Sequence, residues 1–142
     1  MDRRGLVRIA LAALAGAAAT GARAEPQRAQ KVVYHLADAD KSVFVLGNIR
    51  NHIAGASGPI ALALVVHGGA LQSFRANTRD QAIREGINDA LGAGVALHAC
   101  AHTMAAQKLT LGDLLPGFSV AEKGGVVLIA DLQAQGWAYL RP

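Results

Sequence analysis

Cys100 is the sole cysteine of the 142-residue chain, and it stands in Val95-Ala96-Leu97-His98-Ala99-Cys100-Ala101-His102-Thr103, where an apolar run turns into a helical one. A thiol at a helix start meets free backbone N–H groups and the positive end of the helix dipole, which stabilise its thiolate and lower its pKa. The imidazoles of His98 and His102 push the same way when protonated. His35 and His67 each close an apolar run of strand length. Ligands of open parallel sheets gather at the carboxyl ends of the strands, so these histidines and Cys100 are candidates for one shared rim. His98 and Cys100 share strand parity and face the same way, while His102 enters the following helix.

Three chemistries suit such a rim. In the first, Cys100 is a nucleophile that takes a sulfane sulfur as a persulfide, with His102, His98 or His67 assisting proton transfer. In the second, His98, Cys100 and His102, with His67 as a further donor, bind copper or zinc, since imidazole and thiolate suit those ions. The H-x-C-x-H spacing lacks the paired turn ligands of the strong zinc signatures. In the third, the rim is a pocket for a small molecule or anion and carries no reaction. Against all three stands the ordinary role of a free cysteine, a small buried hydrophobe. His67-Gly68-Gly69 is not followed by the rest of a nucleotide fingerprint, and no P-loop occurs, so no cofactor is expected.

The elements that must hold these residues alternate between strand and helix. Strands are expected over 31–36, 60–66, 95–99 and 118–121, with a strand-like tail at 137–140; helices are expected over 43–53, 80–91, 101–108 and 126–135. Residues 71–79 read as loop or short helix. Asp38 and Asp40 read as helix-start residues, and Trp137 and Tyr139 as packing residues. The strands are continuous apolar runs instead of alternating ones, which implies a mostly parallel sheet covered on both faces.

The N-terminus belongs to a different argument. Arg3, Arg4 and Arg8 give a basic start, Ile9 to Ala19 is an apolar run too short to span a bilayer, and Ala22-Arg23-Ala24 is an A-x-A cleavage site. Residues 1–24 are expected to be an export signal cleaved after Ala24, with Arg3-Arg4 resembling the twin-arginine type. A periplasmic protein without a stable membrane anchor follows. Without the four arginines and one aspartate of that segment, the 14 basic and 10 acidic side chains become 10 and 9, and the net charge falls from +4 to +1. No basic stripe remains to favour nucleic acid. Residues 25–30 read as a short leader and 31–142 as one domain. A lone thiol in an oxidising compartment forms no internal disulfide.

Several stretches together resemble the DsrE family, within the DsrE/DsrF/DsrH-like sulfur-relay group. They are Lys31-Val32-Val33-Tyr34-His35-Leu36, Asn48-Ile49-Arg50-Asn51-His52, Val65-Val66-His67-Gly68, Gly94-Val95 through Ala99-Cys100-Ala101-His102-Thr103-Met104, Asp113-Leu114-Leu115-Pro116-Gly117, and Gln135-Gly136-Trp137-Ala138-Tyr139-Leu140-Arg141-Pro142. The resemblance implies a three-layer α/β/α domain around a five-stranded parallel sheet, and a homo-oligomer. It also implies that Cys100 carries persulfide sulfur between donor and acceptor proteins, or takes it from a small sulfur compound. His102 stands where many relatives have asparagine, and relay members lack an export signal.

Overall fold

The computed structural model describes residues 21–142. The expected export signal therefore lies almost wholly outside the described residues, and residues 21–29 are exposed and irregular. Among the described residues no helix is long and apolar enough to cross a membrane.

Five strands, β1 (Gln30–Leu36), β2 (Ile60–Val66), β3 (Ala96–Cys100), β4 (Phe118–Ala121) and β5 (Ala138–Leu140), alternate with helices α1 (Ser42–Gly55), α2 (Gln81–Gly92), α3 (Ala101–Ala106) and α4 (Gly125–Ala134). All pairings are parallel, in the order β4-β3-β2-β1-β5. The expected α/β/α class is the observed one. Val32, Val33, Leu64, Val65 and Val66 are at most 2 % exposed, which is why β1 and β2 read as unbroken apolar runs: their side chains are buried on both faces. The segment at 71–79 resolves into a 3₁₀ turn at Gly68–Phe74, which buries Ala70, Leu71 and Phe74.

The two faces are covered unequally. On one face Val32, Tyr34, Leu62, Leu64 and Leu97 pack with Val45 and Ile49 of α1, Ile83 and Ile87 of α2, and Met104 of α3. The other face holds a smaller cluster of Val33, Ala63, Val65 and Ile129, flanked by Leu128, Leu132 and Trp137. Among the described residues α4 is the one helix that packs into this second cluster. The candidate site lies on this thinner side.

Two details depart from expectation. Asp80 caps α2, its Oδ1 accepting from the N–H groups of Ala82 and Ile83 at 3.0 and 3.3 Å. Asp38 precedes a 3₁₀ turn but makes no side-chain cap, and its Oδ2 instead lies 3.4 Å from the Arg141 guanidinium. The reason is topological: β5 lies beside β1, so the end of the chain meets the turn after β1.

Candidate functional site

Register decides which candidate residues share a face. His35 pairs with Val65, Val65 with His98, His98 with Ser119, and Cys100 with Ala121, so His35, His98 and Cys100 all project toward α4. His67 follows β2 directly in extended conformation and continues that parity. At the start of α4, a Cβ on Gly125 would lie 3.4 Å from the Cβ of Cys100 and 3.7 Å from that of His67, with Val65 at 3.1 Å beneath. Gly125 thus rests on the floor between the cysteine and the histidine, where a larger residue would lift α4 away.

Cys100 ends β3 and occupies the N-cap of α3; it is buried, 6 % exposed. Burial alone would raise its thiol pKa. The nearby backbone N–H groups of Gly125, Thr103 and His102 and the Thr103 hydroxyl favour the thiolate and outweigh that penalty, so the thiol is held below its ordinary value, although the Cys100 side chain makes no capping hydrogen bond to α3. The donors come from the first turns of both α3 and α4, where backbone N–H groups lack helical partners. Thr103 is set for this role: its Oγ1 accepts from the Gly68 N–H at 2.9 Å, leaving the hydroxyl proton free to turn to sulfur. Gln107 fastens the same corner by donating to the Gly68 carbonyl at 2.9 Å.

The histidines are arranged differently from the expectation. His67 turns its Nε2 toward the Nε2 of His35, not toward Cys100, and the ring centres are 4.6 Å apart with planes 23° apart. On its other side His35 Nδ1 bonds the Tyr139 hydroxyl at 2.6 Å. Burial pushes His35 down to about 4, and His67 and Arg141 add to the effect against Asp38. His67 is lowered by burial and by Arg141, again against Asp38.

His98, half-buried and lowered by burial, faces a groove of about 290 Å³ that also has Ser119, Lys123, Val127, Leu128 and Asp131 in its walls. His102 is exposed on α3, with its ring against Gly124, whose φ of +100° suits glycine. Among the described residues no three His, Cys, Asp or Glu side chains converge closely enough to hold a metal ion. His98, Cys100 and His102 therefore do not form one cage here: His98 opens into the groove while His102 leaves with the helix.

Sequence reasoning missed Thr103 and Gly125 as donors and Tyr139 as the partner of His35. The Gly124-Gly125 pair at a helix start was the one signal that could have revealed the close approach to Cys100.

No family model and no curated protein matches this chain. Solved structures do match. MTH1491 of Methanobacterium thermoautotrophicum, a protein of unknown function, is 29 % identical with a TM-score of 0.71, over 80 % of this chain and 99 % of its own. The ychN protein of E. coli is 16 % identical with a TM-score of 0.65, over 80 % and 99 %. BT1422 of Bacteroides thetaiotaomicron, a conserved protein of unknown function, is 15 % identical with a TM-score of 0.59, over 79 % and 95 %. The chain shares their fold. The likeness spans nearly the full length of each of these proteins.

Proposed function

We propose that this protein is an exported, DsrE-like sulfur carrier whose persulfide forms on Cys100. The observation that carries the reading is the place of Cys100 at a strand-to-helix turn, where the starts of α3 and α4 meet beside it and favour the anion despite burial. A thiolate is the attacking form in sulfur exchange. The Cys100 thiolate attacks the sulfane sulfur of a donor, a new S–S bond forms at Sγ, and the donor's sulfur departs with the electron pair of the broken bond. The same donors that hold the thiolate then hold the persulfide anion. Thr103 joins the helix start in stabilising charge, and His102, His98 or His67 would assist proton transfer.

Donor and acceptor are sulfur-carrying proteins or a small sulfur compound, reached in the periplasm after cleavage behind Ala24. The outward side of α4, with Val126 65 % and Val127 41 % exposed, supports self-association of the chain. Sedimentation over a range of concentrations tests that part, and a monomer throughout counts against it. Intact mass of the exported protein should begin at Glu25; retention of residues 1–24 in a membrane fraction removes the export reading. Arg3→Lys combined with Arg4→Lys should block export if the twin-arginine route is used.

The deciding experiment exposes the protein to thiosulfate and weighs it. A gain of one sulfur atom, reversed by a reductant and absent in Cys100→Ser, supports the carrier. A Cys100 that stays unmodified sinks it. The groove before His98 favours a second reading, a small-ligand module without catalysis, which predicts ligand binding weakened by His98→Ala and indifferent to Cys100→Ser.

A further inference from the structure

Among the described residues, the His35–His67 contact is a pair of ligating side chains that, as a pair, the sulfur chemistry leaves unused. The two rings are close to coplanar and meet Nε2 to Nε2. Such a contact has room for one proton, carried by one ring and accepted by the other. His35 is fixed from behind by Tyr139, and a hydroxyl on Nδ1 is the kind of partner that sets which nitrogen of a metal-binding imidazole presents its lone pair.

We infer that His35 and His67 form a two-coordinate site for a soft monovalent cation, Cu(I) or Ag(I), which takes the place of the shared proton between the two Nε2 atoms. The geometry selects the ion. Zinc takes four ligands in a tetrahedron, and among the described residues no three His, Cys, Asp or Glu side chains converge. A filled-shell monovalent ion is satisfied by two donors in a line, and imidazole is an accepted copper donor. The two Nε2 atoms are in hydrogen-bond contact and must part to admit two bonds of about 2 Å each. His67 can supply that movement: it lies beyond the end of β2 and is only partly buried, whereas His35 is held within β1.

Protons balance without a co-reactant. The proton displaced from between the rings moves to Nδ1 of the ring that carried it, so the neutral pair binds the cation and releases none. If His35 is that ring, its Nδ1–H then donates to Tyr139. The Arg141 guanidinium opposes a cation here and the Asp38 carboxylate favours one.

The test uses Cys100→Ser, which removes the competing thiolate. Cu(I) is delivered anaerobically against a chromophoric chelator, and Ag(I) is titrated in parallel. One equivalent should bind, with proton release near zero at neutral pH. His67→Gln in that background should weaken binding at least tenfold while circular dichroism stays unchanged, and Arg141→Gln should tighten it. Tyr139→Phe, which keeps both imidazoles, should weaken it several-fold. Loss of all binding in Cys100→Ser alone, full binding in His67→Gln, or Zn(II) bound as tightly as Cu(I) overturns the assignment. Because the cysteine is absent throughout, failure here leaves the sulfur-carrier reading untouched, and the reverse also holds.

Discussion

Cys100 and His35 sit on the same face and at the same edge of the sheet, on the two strands that flank β2, yet their surroundings treat charge oppositely. Burial disfavours the ionised form of both. Around Cys100 the neighbours are N–H and O–H donors, which reverse the penalty and favour an anion. Around His35 the neighbours His67 and Arg141 reinforce the penalty, and only Asp38 resists it. One end of the rim is built to hold negative charge and the other to stay neutral. Burial sets the size of the problem, and the polarity of the nearest groups decides which charge state survives.

The largest expected effect comes from removing the donor that the fold prepares most carefully. Thr103→Val keeps the shape of the side chain and loses the hydroxyl. A hydrogen bond to a charged group is worth about 1.5–3 kcal/mol, so the rate of Cys100 alkylation at neutral pH should fall by roughly one to two orders of magnitude. An unchanged rate would mean that the backbone donors alone set the thiolate.

Next comes the loop that carries the Gly125 donor. Gly124 has φ +100° and ψ 154°, a region open essentially to glycine, and Gly124→Ala should cost about 1–3 kcal/mol in denaturant unfolding. His102 would only have to swing aside, because its ring edge lies 2.6 Å from the new methyl position and the ring is exposed. His102→Ala should therefore restore none of the loss.

The neutral end answers to pH. His35 drops from its ordinary 6.5 to about 4 on folding, so the unfolded chain takes up the proton first. Its share of stability is present above pH 6.5 and is lost as the pH falls through about 4. Denaturant midpoints measured between pH 7 and 4 should decline, and His35→Gln should flatten that slope. A slope unaltered by His35→Gln would assign it to other groups.

The smallest effect belongs to Asp38 and Arg141. Their side chains are 61 % and 50 % exposed, and such pairs contribute about 0–1 kcal/mol. Asp38→Asn should leave the unfolding midpoint nearly in place.

Much of the fold was legible in the residues because burial wrote it there. Ile60–Val66 reads as a strand from its apolar run alone, and the structure gives the same limits. The tail at 137–140 was harder, because all three residues of β5 are exposed and only Tyr139 and the pairing with β1 give it a place. Cys100 at a strand-to-helix turn was visible for a local reason, the Gly94-Val95 start and the helical run after it. The donor from Gly125 was not, since it is a backbone group brought across from a different βα turn. The pairing of His35 with His67 depends on β1 and β2 being neighbours, and Asp38 meeting Arg141 depends on β5 lying beside β1. Strand order is a property of the whole sheet, and no single stretch of residues carries it.

The unequal cover of the sheet has a mechanical side. Among the described residues, α1, α2 and α3 pack with one face, whereas α4 alone packs into the cluster on the other. A ten-residue helix with two exposed valines can lift as a unit while the larger cluster stays closed, the partial opening that hydrogen exchange detects. Gly125 rests directly over Cys100, so such a lift uncovers the sulfur and in the same motion withdraws one of its donors. Reactivity and anion stabilisation are then coupled: the thiol is most exposed when it is least activated. Reagents of increasing size should slow in step with the opening of α4, and its amides should exchange before those of β2.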